Sequence, residues 1–272
     1  MNAYRRDVAD VALADRLFAP HYARPLVQGC GEPRVAIRSA PDEAAVAVSE
    51  LLLGERFAVV DIAGGWAWGY GCHDRYVGYV PLAALDAELS PTHIVSAAAA
   101  LVFAEADIKA PVLARLPLGA RVAARDDGAF LAAQGGWVHP RHLTALDKPE
   151  GDPVAVAERL LGTPYRWGGR SGDGIDCSGL VQTALMLCGI AAPRDSDQQL
   201  HALGRLLRDD EPARRGDLVF FPGHVGFMAD GARLIHANAH AMAVSVEPLA
   251  DVVARLAPRY AAPLVARRRI ET

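Results

Sequence analysis

Apolar residues recur at 180, 181, 184, 185, 187 and 188, the spacing of one helical face, and Gly189 follows as a stop. The pattern predicts a helix that begins at Cys177, directly after the glycine-rich segment 168–174. Beyond residue 200 the period shortens. Leu218-Val219-Phe220-Phe221 reads as a strand broken by Pro222-Gly223. His224-Val225-Gly226-Phe227-Met228 reads as a second strand, and Leu234-Ile235-His236-Ala237 as a third beyond a turn at Asp230-Gly231. Residues 28–147 are short strand-like runs divided by Gly, Pro and Asp, whereas 1–27 have weak helical character and read as an arm packing on a neighbouring domain. The stretch 147–153, with two prolines and a glycine, reads as a linker.

Within 28–147 one pattern occurs twice. Leu51-Leu52-Leu53-Gly54-Glu55-Arg56 is echoed by Leu116-Pro117-Leu118-Gly119-Ala120-Arg121, and Gly78-Tyr79-Val80-Pro81 by Gly136-Trp137-Val138-His139-Pro140. The repeat predicts two small β-barrels, 28–88 and 89–147. A mixed domain of helices and strands at 150–272 then makes the class α+β. Trp66 and Trp68 alternate on one strand, so one face at most is expected to be core.

Composition narrows the partners. The net charge of -4 argues against nucleic acid and shows no polybasic membrane anchor. Asp7, Asp10 and Asp15 interrupt every apolar run near the start, and no stretch has the length of a transmembrane helix. A cytoplasmic location is expected. Four cysteines, Cys30, Cys72, Cys177 and Cys188, lack C-x-x-C spacing, so neither a metal nor another cofactor is implied. Cys30, Cys72 and Cys188 read as small buried apolar residues, and His201 and His240 as surface residues.

Cys177 carries more. At a helix N-terminus the unpaired N–H groups favour an anion, lower the thiol pKa and help hold an oxyanion. Gly179 is expected to keep bulk away from the sulfur. By position alone, a buried core cysteine is an equal reading. Two histidines on adjoining strands shift the balance, because a thiol, a base and a group that orients the base form one working unit. His236 can orient His224 only if both leave the same sheet face. A three-residue loop at 229–231, with Gly231 at positive φ, pairs Met228 with Ala232 and sets His224 directly opposite His236.

These motifs support two resemblances. Leu-Leu-Gly-Glu at 52–55, Gly65-Trp66-Ala67-Trp68 and Tyr76-Val77-Gly78-Tyr79-Val80-Pro81 resemble bacterial SH3 domains. Pro164-Tyr165 to Gly169, Asp176-Cys177-Ser178-Gly179-Leu180-Val181, Gly216-Asp217-Leu218-Val219, His224-Val225-Gly226 and Ile235-His236-Ala237 resemble the NlpC/P60 family of papain-like cell-wall peptidases. The resemblance implies Cys177 as nucleophile, His224 as base, His236 as orienting member and Tyr165 as support for the oxyanion site. It also implies a small peptide substrate, L-Ala-γ-D-Glu-diamino acid, cut at the γ-D-glutamyl bond in wall-peptide recycling; the chain itself is expected to be a monomer. Asp176 is expected to hold the substrate ammonium, with Ser178, Trp167 and Tyr76 as further contacts. Glu50 is a weaker contact that also reads as a solvated charge. Ser196 lines the groove or caps a helix. Two competing readings remain: an SH3-type binding module with a spent thiol domain, and an acyltransferase or amidase on the same thiol fold.

Overall fold

The computed structural model describes residues 2–86 and 90–271, and every count given is of those residues. The boundary expected at 88/89 lies outside them. The chain divides into two units between Lys148 and Pro149, inside the expected linker.

The first unit opens with an arm that holds only a three-residue 3-10 turn and two-residue strands, since its polar and apolar residues alternate too irregularly for a helix. Seven strands follow: β1 (Leu26–Cys30), β2 (Arg34–Arg38), β3 (Ala47–Leu52), β4 (Arg56–Ala63), β5 (Trp66–Gly71), β6 (Val77–Pro81) and β7 (Leu85–Asp86). They pair in the order β3-β2-β6-β5-β4-β1-β7. Ile37, Leu51, Phe57, Val59, Ala67 and Val80 fill the interior. The opposite face is not left to water. Trp68, Tyr70, Ala58 and Val60 pack against Ala3 and Val8 of the arm. The Tyr70 hydroxyl donates to Asp10 at 2.9 Å, and the Arg5 guanidinium lies 4.8 Å over the Trp68 ring. The expectation of one buried face on β5 is therefore corrected: the arm covers the second. Glu50 is also corrected. It is 1 % exposed, with Arg34 at 3.4 Å, because the two are diagonal neighbours on the β2–β3 ladder. Tyr76 is half-buried just before β6, its backbone N–H donating to the Asp74 carboxylate. Cys30 is fully buried and its thiol is pushed up to about 12 by burial; Cys72 is half-buried.

The next eight strands are β8 (His93–Val95), β9 (Ala99–Phe103), β10 (Val112–Pro117), β11 (Arg121–Val122), β12 (Arg125–Asp127), β13 (Phe130–Ala133), β14 (Gly136–Val138) and β15 (Leu143–Ala145). They pair as β10-β9-β14-β13-β12 and β11-β8-β15. This is the pairing of β1 to β7 again, with the long β4 replaced by β11 and β12. The repeated Leu-Gly turns do the same work. Gly54 (φ 73°) donates to the Cys30 carbonyl, and Gly119 (φ 89°) to that of Val95, both at 2.9 Å.

The second unit contains α1 (Pro153–Glu158), β16 (Arg170–Ser171), β17 (Gly174–Ile175), α2 (Cys177–Leu187), α3 (Ser196–Ala202), β18 (Arg205–Leu206), β19 (Leu218–Phe221), β20 (His224–Met228), β21 (Arg233–Asn238), β22 (Ala243–Pro248), α4 (Leu249–Leu256) and β23 (Ala266–Arg269). Its main sheet runs β18-β23-β19-β20-β21-β22, and α2 lies against β20 and β21. Pro222-Gly223 joins β19 to β20 with Gly223 at φ 68°, as a turn of Pro then Gly requires. One face carries Val219, Phe221, Met228 and Leu234, which pack with Val252 of α4.

The β20–β21 register departs from expectation. Met228 pairs with Leu234, not Ala232, and the Ala229 N–H donates to the Arg233 carbonyl at 2.7 Å. The loop does have three residues, but they are 230–232. Asp230 accepts from the backbone N–H groups of Ala232 and Arg233 and so closes the turn itself. Gly231 is not among the positive-φ residues. The register moves by two, which preserves parity. His236 faces Gly226 across the ladder, and His224 is its diagonal neighbour on the same face.

Candidate active site

Cys177 is the first residue of α2, with Asp176 as its N-cap. The Asp176 carboxylate accepts from the Gly179 N–H at 2.7 Å and from the Gly168 N–H at 2.8 Å. One side chain thus staples the glycine loop to the helix start. Gly179 allows the close approach. A Cβ on Gly179 would stand 2.3 Å from the Gly169 carbonyl oxygen, so Gly179 clears space for the loop backbone, not for the sulfur.

Asp176 is 5 % exposed and meets Arg194 in a two-pronged pair, 2.8 Å to Oδ1 and 2.6 Å to Oδ2. Arg194 also donates to Ser178 Oγ at 2.9 Å. Gln199 Nε2 donates to the Ser178 carbonyl at 3.0 Å and to that of Pro193 at 2.8 Å. The 194–199 segment therefore locks the first turn of α2. Asp176 was expected to keep its charge for a substrate. In the fold its lone pairs are filled by the chain's own donors, because a buried carboxylate must be paired. Ser196 is not a cap: Asp195 holds that position, its carboxylate accepting from Gln198 Nε2 at 3.4 Å rather than from a backbone N–H of the first turn, and Ser196 is half-buried one residue inside. Trp167 is 67 % exposed, while Ser178 is buried.

The Cys177 thiol is 7 % exposed as a residue and is pushed up to about 11, chiefly by burial and then by the Asp176 charge. The amides of Val225 and Ser178, and Arg194, act in the opposite sense without prevailing. The expected lowering by the helix start is thus overturned: desolvation outweighs the helix end. The Val225 amide that points at the sulfur belongs to the residue after His224, so the nucleophile sits beside the first residue of β20. Tyr165 lies within electrostatic reach of Cys177 and is pushed up to about 12, mainly by burial, so its hydroxyl keeps its proton.

His224 Nε2 is 2.7 Å from His236 Nδ1. Burial, and then His236, press His224 down to about 3. His236 is 1 % exposed, is likewise lowered by burial, and places Nε2 2.8 Å from Glu247 Oε1. Arg255 grips both Glu247 oxygens, at 2.9 and 2.7 Å. Glu247 stays below its ordinary range: burial opposes ionisation, but the bonds from Arg255 and His236 prevail. Sequence reasoning missed Glu247, Arg255, Gly226 and the role of Arg194. Only Glu247 left a trace, in the alternation Ala243-Val244-Ser245-Val246-Glu247, which puts Glu247 on one face with Ser245. His201 and His240 are exposed, and Cys188 is half-buried. Among the described residues no group of three or more His, Cys, Asp or Glu is placed to hold a metal ion, and no helix is long and apolar enough to cross a membrane.

Residues 162–255 match the NlpC/P60 family, and residues 37–85 match the bacterial dipeptidyl-peptidase Sh3 domain. The chain is 35 % identical over 116 residues to dipeptidyl-peptidase 6 of Lysinibacillus sphaericus, covering 42 % of each. It is 32 % identical over 133 residues to a γ-D-glutamyl-L-lysine dipeptidyl-peptidase of Bacillus cereus, covering 46 % of this chain and 37 % of that one. The matches thus span less than half the length of these curated relatives. A crystal structure of an NlpC/P60 family protein from Bacillus cereus superposes with a TM-score of 0.74 at 21 % identity, over 90 % of this chain and 99 % of the other, a likeness of fold. The chain carries an NlpC/P60 domain and a bacterial SH3 domain.

Proposed function

We propose that the NlpC/P60 domain of this chain is a cysteine endopeptidase that hydrolyses the γ-D-glutamyl–diamino acid bond of short peptidoglycan stem peptides bearing a free N-terminal L-alanine. The observations that carry the reading are a thiol at the start of α2 with the backbone amide of Val225, the residue after His224, against its sulfur, and His236 bonded to His224 at 2.7 Å. Similarity to the γ-D-glutamyl-L-lysine dipeptidyl-peptidase of Bacillus cereus supports the choice of bond.

The site rests as a neutral thiol beside a neutral imidazole. Attack therefore requires His224 to take the thiol proton as Sγ adds to the γ-carbonyl carbon. The backbone N–H groups at the start of α2 and the Tyr165 hydroxyl face the oxyanion. Imidazolium at His224 returns the proton to the departing amine, leaving a thioester. Water, deprotonated by His224, then cleaves the thioester and frees Cys177. Asp176 and Ser178 are proposed to face the amino end of the substrate. Because Asp176 is shared with Arg194, it draws an ammonium group less strongly than a free carboxylate would.

Four unbridged cysteines suit a reducing compartment and hence peptide recycling inside the cell. The shared pairing order and Leu-Gly turn support residues 89–147 as a second SH3-like barrel. The test is release of L-Ala-γ-D-Glu from L-Ala-γ-D-Glu-diaminopimelate and its lysine counterpart, followed by mass spectrometry. Cys177→Ala should abolish release, while Cys30→Ala, Cys72→Ala and Cys188→Ala leave it measurable. N-acetylating the substrate should lower kcat/KM by about tenfold, the worth of one charge-assisted hydrogen bond. Equal cleavage of both peptides removes the recycling reading and favours intact wall as substrate, and wild-type rates in Cys177→Ala end the thiol mechanism.

A further inference from the structure

Glu247 and Arg255 belong to no motif, yet they complete a line of polar groups across the sheet. On β21, His236 faces Gly226 of β20 and Ser245 of β22. His224 is displaced two residues to one side of that row. Glu247, which pairs with Leu234, is displaced two residues to the other. The three side chains leave one face along a diagonal, where long side chains on neighbouring strands meet. Gly226 keeps the middle of the diagonal open. A Cβ there would stand 2.9 Å from the His236 Cβ. Arg255, from the last turn of α4, closes the outer end with two bonds to Glu247.

The order of donors along this line has one consistent solution. An ionised carboxylate only accepts, so His236 must carry its proton on Nε2. A neutral His236 then presents a lone pair at Nδ1, and that atom lies 2.7 Å from His224 Nε2. His224 must therefore donate from Nε2. Being neutral, it has its own lone pair on Nδ1. We infer that Glu247, held by Arg255, is a positioning residue that fixes the tautomers of His236 and His224 so that Nδ1 of His224 is the atom that accepts the Cys177 proton. Without that carboxylate, either nitrogen of His236 carries the proton, and half of the arrangements turn the basic nitrogen of His224 away from the sulfur. Once His224 is protonated, Glu247 is also the negative charge that faces the new imidazolium through His236. Among the described residues, the charged groups that act on the pair are Glu247 and Arg255, and Arg255 moderates the effect of Glu247.

This inference rests on the peptidase reading, and the test separates the two. Nitrogen NMR of the full chain, labelled at histidine and recorded at neutral pH, reads each tautomer without substrate. Both His224 and His236 should carry the proton on Nε2. In Glu247→Ala, both should become tautomer mixtures, and kcat should fall on the order of 10- to 100-fold with KM little changed, the scale typical of partners that orient a working histidine. In Arg255→Met, the unmasked carboxylate should raise both histidines, moving the acid limb of kcat/KM to higher pH. An Nδ1–H tautomer at His224 in the active wild-type protein overturns the inference, as does Glu247→Ala with unchanged tautomers and kcat. A wild-type chain that cuts no γ-D-glutamyl peptide but shows both Nε2–H tautomers removes the substrate reading and leaves the positioning role standing.

Discussion

Gly226→Ala tests whether the empty position opposite His236 is what permits the histidine pair. The added methyl would stand 2.9 Å from the His236 Cβ, 2.9 Å from the Ile235 carbonyl oxygen and 3.1 Å from Leu234 Cγ, where ordinary contact begins at 3.4 Å. Two of these atoms cannot retreat cheaply. The carbonyl belongs to the strand backbone, and His236 is held by Glu247. Overpacking of this kind costs about 1–3 kcal/mol, and replacing a strand glycine by alanine recovers about 0.5–1 kcal/mol of it. A net loss of about 1–2 kcal/mol should appear in urea unfolding. The larger effect is on chemistry. Moving His236 breaks its 2.7 Å bond to His224, and losing a bond worth about 1–3 kcal/mol in the charged state lowers kcat by roughly 10- to 100-fold. Steady-state kinetics on the stem peptide separates kcat from KM. Gly231→Ala is the control: that glycine is exposed, lacks positive φ, and would place a Cβ no nearer than 3.6 Å to the Ala213 carbonyl. It should be neutral or gain up to about 1 kcal/mol. Wild-type kcat and stability in Gly226→Ala would refute the diagonal arrangement.

Arg194→Met leaves Asp176 buried without its cation and should cost about 3–5 kcal/mol in denaturant unfolding; pairing it with Asp176→Asn should restore part of that loss, and additive losses would mean that the two do not interact. Burial lowers His224 from its ordinary 6.5 to about 3, so the unfolded chain binds the proton more readily. The stability this confers is full above about pH 6.5 and falls by about 1.4 kcal/mol per unit as the pH drops toward 3, so the urea midpoint should decline from pH 6.5 to 5 in the wild type and less in His224→Gln. With the Cys177 thiol near 11, alkylation by iodoacetamide in the absence of substrate should rise about tenfold per pH unit from 7 to 10; a plateau near pH 7 would instead mean a preformed thiolate.

Local pattern was enough for the elements. The apolar face at 180–188 dictated α2, and Pro222-Gly223 dictated the turn that starts β20 at His224, because both signals act within a few residues. Motif order was enough for the histidine pair, and parity was enough to put both on one face. The loop at 230–232 shows where local reasoning stopped. Asp230 and Gly231 are both turn formers, and which of them closes the turn depends on whether the Asp230 carboxylate reaches two backbone amides. That choice shifted the register by two residues without changing the face. Tertiary structure alone decided what required distant segments to meet. Arg194 fills the lone pairs of Asp176, Glu247 and Arg255 extend the line from His236, and the arm buries Trp68. It also decided the state of Cys177. A helix start favours the thiolate within one turn, but burial is a property of everything packed around the sulfur, and here it is the larger effect.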